Sequence, residues 1–266
     1  MNTVGGWLHS HADVDRLDLD VLLGHTLKIA RSQIIAYPER SLSCADQETL
    51  NSSVARLRQG EPIAYITGHK EFYSLDFKVS PAVLIPRSDS ECLVEAALAR
   101  LSSADLVLDL GTGCGIIGIC LARFGNAKVS ASDASAAALE IASENARELG
   151  VNIEFLTGSW FEPVHQRYSM IVSNPPYIAA DDPHLPALRY EPSQALISGP
   201  CGLNDLEHIC REAPGHLLRN GWLLLEHGFE QSASVRALLI KSGFTEISSQ
   251  RDLSGHERVT AGQWPG

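Results

Sequence analysis

Two stretches of this 266-residue chain combine residue types and spacing that chemistry could use. The first, SNPPYI at residues 173–178, ends the apolar run SMIV in consecutive prolines. Proline neither donates to a sheet ladder nor continues a helix, so a core strand stops here in a rigid corner. Asn174 offers a side-chain oxygen acceptor and Tyr177 a flat aromatic face. Pro175 and Pro176 fix the backbone between them and leave nearby carbonyls free of local N–H partners. Such a corner suits a planar NH2 group, with acceptors for both N–H bonds and a ring over its π-face. The nitrogen of an amide, or of the exocyclic amine of adenine, is a poor nucleophile because its lone pair is delocalised. A site for it must position the nitrogen, which alone contributes on the order of 7–11 kcal/mol. The same acceptors stabilise positive charge developing on nitrogen. The bland alternative is a rigid turn.

The second stretch is DLGTGCGIIGICLA, residues 109–122. Gly111, Gly113 and Gly115 permit a tight turn and close approach of backbone to a ligand, and the helix that follows presents free N–H groups. Thr112 and Cys114 complete the loop, Cys114 as a small filler rather than an activated thiolate. Gly113, Gly115 and Gly118 satisfy the dinucleotide pattern G-x-G-x-x-G, and Asp133 closes the next strand at the distance expected of a carboxylate on ribose hydroxyls. A nicotinamide dinucleotide and S-adenosylmethionine both fit this half, and Asp133 also reads as a helix cap. Asp109 either faces the methionine ammonium of S-adenosylmethionine or is a solvated turn carboxylate. The corner at Asn174 separates the two cofactors, because hydride transfer has no use for it, whereas a sulfonium methyl donor supplies the leaving group that a weak nitrogen nucleophile needs.

Positioning these residues falls to alternating elements. Strands are expected at 104–110, 127–132, 152–156, 169–173 and 221–227, with helical runs such as SAAALEIASENARELG between most of them, ended by Gly150. That alternation specifies a mainly parallel, doubly wound sheet. FTEISSQ and RVTAGQW (244–250 and 258–264) lack an intervening helix and pair as an antiparallel edge hairpin, making seven strands. Ligands in such sheets sit beyond the carboxyl ends of the strands, where both motifs fall. Ahead of this domain, residues 1–61 carry a helical period in Leu19, Leu23 and Leu27, in Ile34 and Ile35, and in Leu50, Val54 and Leu57. Ser43 with Asp46 forms a cap and Gly60 a stop, giving a small helical bundle. Residues 62–87, rich in β-branched and aromatic residues, read as a β-hairpin linker, and Ser88 with Glu91 as a capping box opening the 88–266 domain.

Composition bounds the setting. A net charge of −11 argues against a chain that coats nucleic acid, since phosphate binding leaves a basic footprint. The histidines form no metal-like grouping, and the six cysteines, with no C-x-x-C pair among them, read as reduced thiols in a cytoplasmic protein. No apolar run approaches membrane-span length, and the amino terminus lacks signal-peptide features, so a soluble protein is expected.

DLGTGCG, Asp133 and SNPPYI together resemble class I S-adenosylmethionine-dependent methyltransferases of planar nitrogens, a group that includes DNA adenine N6 enzymes. RLRQGEPIAYITGHKEFYSLDFKVSPAVLIPRSDSECLVE, LLLEHG (223–228) and RDLSGHERVT (251–260) extend the resemblance over essentially the whole chain to the PrmC (HemK) family. Members of that family methylate the N5 amide nitrogen of the glutamine in the Gly-Gly-Gln motif of class I peptide-chain release factors. The resemblance implies that Gly111 to Gly115 hold S-adenosylmethionine, with S-adenosylhomocysteine as product. It further implies Asp133 on the ribose, Trp160 beside the adenine, Asn174 next to both methyl and amide, and Pro175, Pro176 and Tyr177 completing the amide slot. Trp160 also reads as a packed core aromatic. Ser159 stands where relatives commonly carry Asp, and Ser88 and Ser90 replace the proline and threonine of the usual linker. Glu71, Phe72, Tyr73, Arg87 and Glu91 fall in the family-like linker and read as shaping the mouth of the site, Arg87 and Glu91 equally as a cap and surface ion pair, and Glu226 and His227 as local structure at least as much as catalytic groups. A bundle without chemical motifs suits recognition of the protein substrate by a monomeric enzyme. The competing readings are a methyltransferase of a large-subunit ribosomal protein glutamine, a DNA adenine methyltransferase, and a noncatalytic nucleotide-binding module.

Overall fold

The computed structural model describes residues 2–102 and 105–266. Ala104, the first residue of the strand expected at 104–110, lies outside the described residues. The chain forms two compact units, Met1–His69 and Lys70–Gly266. In the first, helices α1 (Val4–Ser10), α2 (Arg16–Leu27), α3 (Arg31–Ala36), α4 (Cys44–Arg58) and α5 (Ile63–Thr67) enclose a core of Trp7, Leu19, Leu23, Ile34, Leu50 and Val54. Ile35, expected beside Ile34 on the apolar face, is 61% exposed. The Ser43–Asp46 capping box is present, and Gly60 leaves α4 with φ +88°. The β-branched run Ile63–Thr67 is helical rather than extended. Pro62 stands at its N-cap, Gly68 ends it in the left-handed region, and Ile63 and Ile66 pack on the bundle core, which outweighs strand propensity.

A hairpin of β1 (His69–Phe72), which starts on the last residue of the first unit, and β2 (Leu75–Lys78) opens the second, turned by Tyr73 and Ser74 with φ of +52° and +60°. Positive φ at both central residues gives the twist that a two-residue hairpin requires. Helix α6 (Glu91–Leu98) follows without the expected capping box: Ser88–Ser90 form a 3-10 turn, and the Glu91 carboxylate accepts instead from the Tyr73 N–H at 3.3 Å. Then come β3 (Leu106–Leu110), α7 (Ile116–Gly125), β4 (Lys128–Asp133), α8 (Ala136–Glu148), β5 (Ile153–Thr157), β6 (Tyr168–Ser173), α9 (Asn204–Glu212), β7 (Leu217–Glu226), α10 (Ser232–Lys241), β8 (Thr245–Arg251) and β9 (Glu257–Gln263).

These strands make one seven-stranded sheet in the order β5-β4-β3-β6-β7-β9-β8. The first five pair in parallel and β9 runs antiparallel to both neighbours, so the doubly wound sheet and its antiparallel edge stand as expected. Strand β7 starts at Leu217, earlier than its apolar run suggests, through an irregular register opposite Tyr168 and Met170. Asn220 takes φ +63° there, so the polar residues before Gly221 join the strand by a bend. Strand order reverses between β3 and β6, whose carboxyl ends carry the glycine loop and the Asn174 corner. Ser173 Oγ donates to the Leu110 carbonyl at 2.6 Å and ties the two ends together.

Candidate active site

The glycine loop is held from below by the Ser132 carbonyl and by Asp109. Gly111 and Thr112 N–H groups donate to the Ser132 carbonyl at 2.8 and 2.9 Å. Asp109 is fully buried, and its Oδ2 accepts from Thr112 Oγ1 at 2.6 Å and Gly118 N at 2.8 Å. Burial pushes its carboxyl up to about 6, against the pull of those two hydrogen bonds. Asp109 is therefore not a solvated turn carboxylate, nor does it line the cavity; it buttresses the loop from within. Gly118, the last glycine of the pattern, has an ordinary helical role to play: a Cβ there would lie 3.0 Å from Asp109 Oδ2 and 3.2 Å from Val129 Cγ1. It brings α7 onto the sheet. Cys114 is buried and its thiol is pushed up to about 12, which leaves it the inert filler expected.

A cavity of about 250 Å³ opens above the loop, lined by Gly111 to Cys114, Ile116, Ile117, Ser132, Asp133, Ser159, Trp160 and Asn174 among others. The amino end of α7 carries no side-chain cap, and Gly115 enters it with φ +91°. Asp133 Oδ2 accepts from Gly113 N at 2.9 Å and Oδ1 from Ser135 N at 2.8 Å, while Ser135 is the actual N-cap of α8. A carboxylate has further lone pairs, so Asp133 both shapes the loop and offers acceptors to the cavity. Burial raises its pKa. Trp160, with φ +46°, packs its ring edge over Gly111, where a Cβ would stand 3.4 Å away. Ser132 Oγ is buried with no partner among the described residues and lines the same cavity. A glycine floor, an uncapped helix terminus, an aromatic wall, a carboxylate and an orphaned hydroxyl fit the adenosine and methionine portions of S-adenosylmethionine.

A second cavity, about 440 Å³, is lined by Leu84, Pro86, Arg87, Asp89, Tyr177, Leu188, Leu196 and Arg258 among others. Asn174 borders both cavities, as do Leu84, Pro86, Arg87 and Ala195. Tyr177 lines only the second, so the corner splits: Asn174 stands at the junction and the ring beyond it. Pro175 is buried, Pro176 lines the first cavity, and Gln231 Nε2 donates to the Tyr177 carbonyl at 3.0 Å. That carbonyl, without a local N–H partner as the prolines imply, is taken by a side chain 54 residues away. Gly202, with φ +68°, packs against this carbonyl so closely that a Cβ would reach within 2.2 Å of its oxygen.

Residues not singled out by motif build the walls. Glu191, 7% exposed, pairs with Arg87 and accepts from Ile85 N at 3.1 Å, clamping residues 85–87 to the segment after the corner. Arg87 thus pairs with a buried carboxylate from a distant segment rather than with Glu91 as a surface pair. Asn145, 1% exposed, donates to the carbonyls of Cys114 and Lys78 and accepts from Lys78 N, joining glycine loop, α8 and β2. Neither Glu191 nor Asn145 carries a local signature, since each partner is distant in the chain.

The fold and this divided site define a class I S-adenosylmethionine-dependent methyltransferase. A methyltransferase from Pyrococcus furiosus superposes with a TM-score of 0.59 at 20% identity, covering 81% of this chain and 99% of that one. A Thermus thermophilus 16S rRNA N2 G1207 methyltransferase, solved with AdoMet and guanosine, gives 0.55 at 19% identity, covering 74% and 49%. At that identity the likeness concerns the fold. The family model "PrmC N-terminal domain" matches residues 8–68 and "Methyltransferase small domain" residues 88–189. The chain is 45% identical over 260 residues to a release factor glutamine methyltransferase of Yersinia pestis, covering 96% of this chain and 94% of the relative. It is 46% identical over 255 residues to that of Pseudomonas aeruginosa, covering 94% and 92%. The chain belongs to the release factor glutamine methyltransferase family.

Proposed function

We propose that this enzyme transfers a methyl group from S-adenosylmethionine to the N5 amide nitrogen of the glutamine in the Gly-Gly-Gln motif of class I peptide-chain release factors. The observation that carries this reading is the meeting of two cavities at one side-chain amide, Asn174. Gly111, Thr112, Gly113, Cys114, Gly115, Asp133 and Trp160 are assigned to the cofactor on the smaller side. When bound, S-adenosylmethionine supplies an electrophilic methyl on a good leaving group. Asn174 Oδ1 accepts an N–H of the substrate amide and favours pyramidal, charge-bearing nitrogen; Tyr177 covers the amide in the larger cavity, and Pro175 and Pro176 keep both from relaxing. No base of ordinary strength needs to act before transfer, because the proton is lost more readily from the alkylated, positively charged amide.

The helical unit is assigned to recognition of the release factor. The enzyme is taken to act as a cytoplasmic monomer without a nucleic-acid or membrane partner. Its six cysteines are free thiols, its net charge is −11, and no helix among the described residues is long and apolar enough to cross a membrane. The test is mass spectrometry of peptides from unmodified release factor after incubation with enzyme and S-adenosylmethionine, with Asn174→Ala as control. One methyl on the Gly-Gly-Gln glutamine is expected, and a rate about 100- to 1,000-fold lower in the variant, as for removal of one well-aimed polar group. Transfer instead to a large-subunit ribosomal protein, or to adenine in DNA, overturns the substrate; a near-parental rate for Asn174→Ala overturns the amide slot.

A further inference from the structure

Behind Asn174 lies a buried polar chain that the reaction as described leaves unused. Asn174 Nδ2 donates to Ser90 Oγ at 3.2 Å, across 84 residues of chain. Glu226, the last residue of β7, stands beside Asn174, since Ser173 and Leu225 just before them are in register on neighbouring parallel strands, and the Ser90 and Asn174 side chains draw its pKa down against burial. Ser90 and Glu226 are each 1% exposed, and Glu226 Oε2 has no partner among the described residues. A carboxylic acid buried at this cost, with one oxygen unsatisfied, contributes nothing to packing that a leucine would not.

We propose that Glu226 and Ser90 are positioning residues that orient the Asn174 amide, and that the enzyme works only while Glu226 is ionised. The inference rests on the amide slot proposed above. An ionised carboxylate accepts and does not donate. The Ser90 hydroxyl then points at Glu226 and its lone pairs face Asn174 Nδ2, which fixes the amide with its NH2 group toward Ser90. Oδ1 is left toward the junction of the cavities, where the substrate NH2 needs an acceptor. A proton on Glu226 undoes this order. The acid then donates to Ser90 Oγ, the Ser90 hydroxyl is released to donate to Oδ1 of a flipped Asn174, and an NH2 group confronts the substrate NH2.

The surroundings place that proton in a useful range. Burial pushes Glu226 up to about 7, opposed by the Ser90 and Asn174 hydrogen bonds and by Arg258, and reinforced by Asp89. Arg258 is shared, 3.0 Å from Asp89 and 3.1 Å from Asp252. Cys92 and Tyr177 also face the carboxyl, but burial pushes the Cys92 thiol up to about 11 and raises Tyr177, so neither ionises in the same window. His227, next in the chain, turns its ring to Thr260 and the Gly228 carbonyl, and burial lowers its pKa. Activity should therefore fall as pH drops below about 7, the direction in which Glu226 gains its proton.

The experiment compares kcat on intact release factor from pH 5.5 to 9 for the parent, Glu226→Gln, Ser90→Ala and Ser90→Thr, with S-adenosylmethionine affinity measured by calorimetry for each. A neutral glutamine both donates and accepts, so Glu226→Gln is expected to lose about 10- to 100-fold in kcat, the scale of a misplaced reacting group, and to lose the low-pH limb. Ser90→Ala is expected to fall similarly, and Ser90→Thr, which keeps the hydroxyl, to stay within about threefold of the parent, with cofactor affinity little changed throughout. Parental kcat and pH profile in Glu226→Gln or Ser90→Ala overturn the inference, as does a loss of cofactor affinity that accounts for the whole fall. A parent that methylates no release factor overturns the proposed substrate and this inference together, whereas an active parent with insensitive variants overturns the inference alone.

Discussion

Gly118→Ala isolates the packing that holds the cofactor loop, because Gly118 lies within α7 and the change adds one methyl group without asking for an unusual backbone angle. The added carbon would stand 3.0 Å from Asp109 Oδ2, 3.2 Å from Val129 Cγ1 and 3.3 Å from Asp109 Cβ. Both neighbours belong to strands of the sheet and cannot retreat, so α7 must lift by several tenths of an ångström. Overpacking of this kind costs about 1–3 kcal/mol. Lifting the helix also lengthens the 2.8 Å bond from Gly118 N to the buried Asp109 carboxylate. A bond to a charged group is worth about 1.5–3 kcal/mol, and part of it is lost. Against this, alanine is about 1 kcal/mol better than glycine inside a helix. The balance is a destabilisation of about 2–3 kcal/mol, which lowers the melting temperature of a unit this size by roughly 5–10 °C. The assay is thermal unfolding followed by calorimetric titration with S-adenosylmethionine, whose affinity should fall because Ile116 and Ile117 of the same helical turn line the cavity. Gly215→Ala serves as control, since nothing lies within 4 Å of a Cβ there. A Gly118→Ala protein that melts within 1 °C of that control, on the order of a few tenths of a kcal/mol, and binds cofactor normally refutes the argument.

Asp109 gives a pH signature. Its folded value of about 6 lies above the ordinary 3.8, so the folded state holds a proton the unfolded chain has released, and the stability contribution present below pH 3.8 is lost as pH rises through 6. At about 1.4 kcal/mol per pH unit the loss is roughly 3 kcal/mol; urea unfolding at pH 4 and pH 7 should show Asp109→Asn gaining about that much relative to the parent, and a constant difference would contradict it. Ser159 lines the cavity with its backbone engaged by Glu162, its N–H donating to the carboxylate at 3.2 Å and its carbonyl accepting from Glu162 N at 3.0 Å, so Ser159→Asp is expected to tighten S-adenosylmethionine binding by about 2- to 10-fold, one added hydrogen bond, measured by calorimetry. Removing residues 1–61 should raise KM for intact release factor while sparing cofactor affinity; unchanged kinetics would remove the bundle from recognition.

Elements whose signals are local were legible without coordinates. The bundle's leucine spacing, the Ser43–Asp46 cap, the alternation after residue 104 and the glycine loop each depend on neighbours within a few residues. Where tertiary packing competes with a local preference, the local reading fails. Ile63–Thr67 turns helical against its β-branched composition because two isoleucines find the bundle core. Glu91 abandons a capping box for the Tyr73 N–H offered by the hairpin. Asp109 reads from the sequence either as a partner of the methionine ammonium or as a solvated turn acid but is sealed beneath the helix that follows it.

The site divides along the same line. Residue order alone determined that a glycine loop, a strand-end acid and an Asn-Pro-Pro-Tyr corner would meet at the carboxyl ends of a parallel sheet, since strand–helix alternation permits few topologies. Only the tertiary structure decided that Asn174 separates two cavities, that Glu191 and Asn145 clamp their walls, and that Ser90 and Glu226 stand behind the amide. Asn174 meets Ser90 across 84 residues, and Glu191 meets Ile85 across 106. Pairings at such separations leave no periodicity to read, because the partners are brought together by the burial of the strands between them and not by any preference of their own.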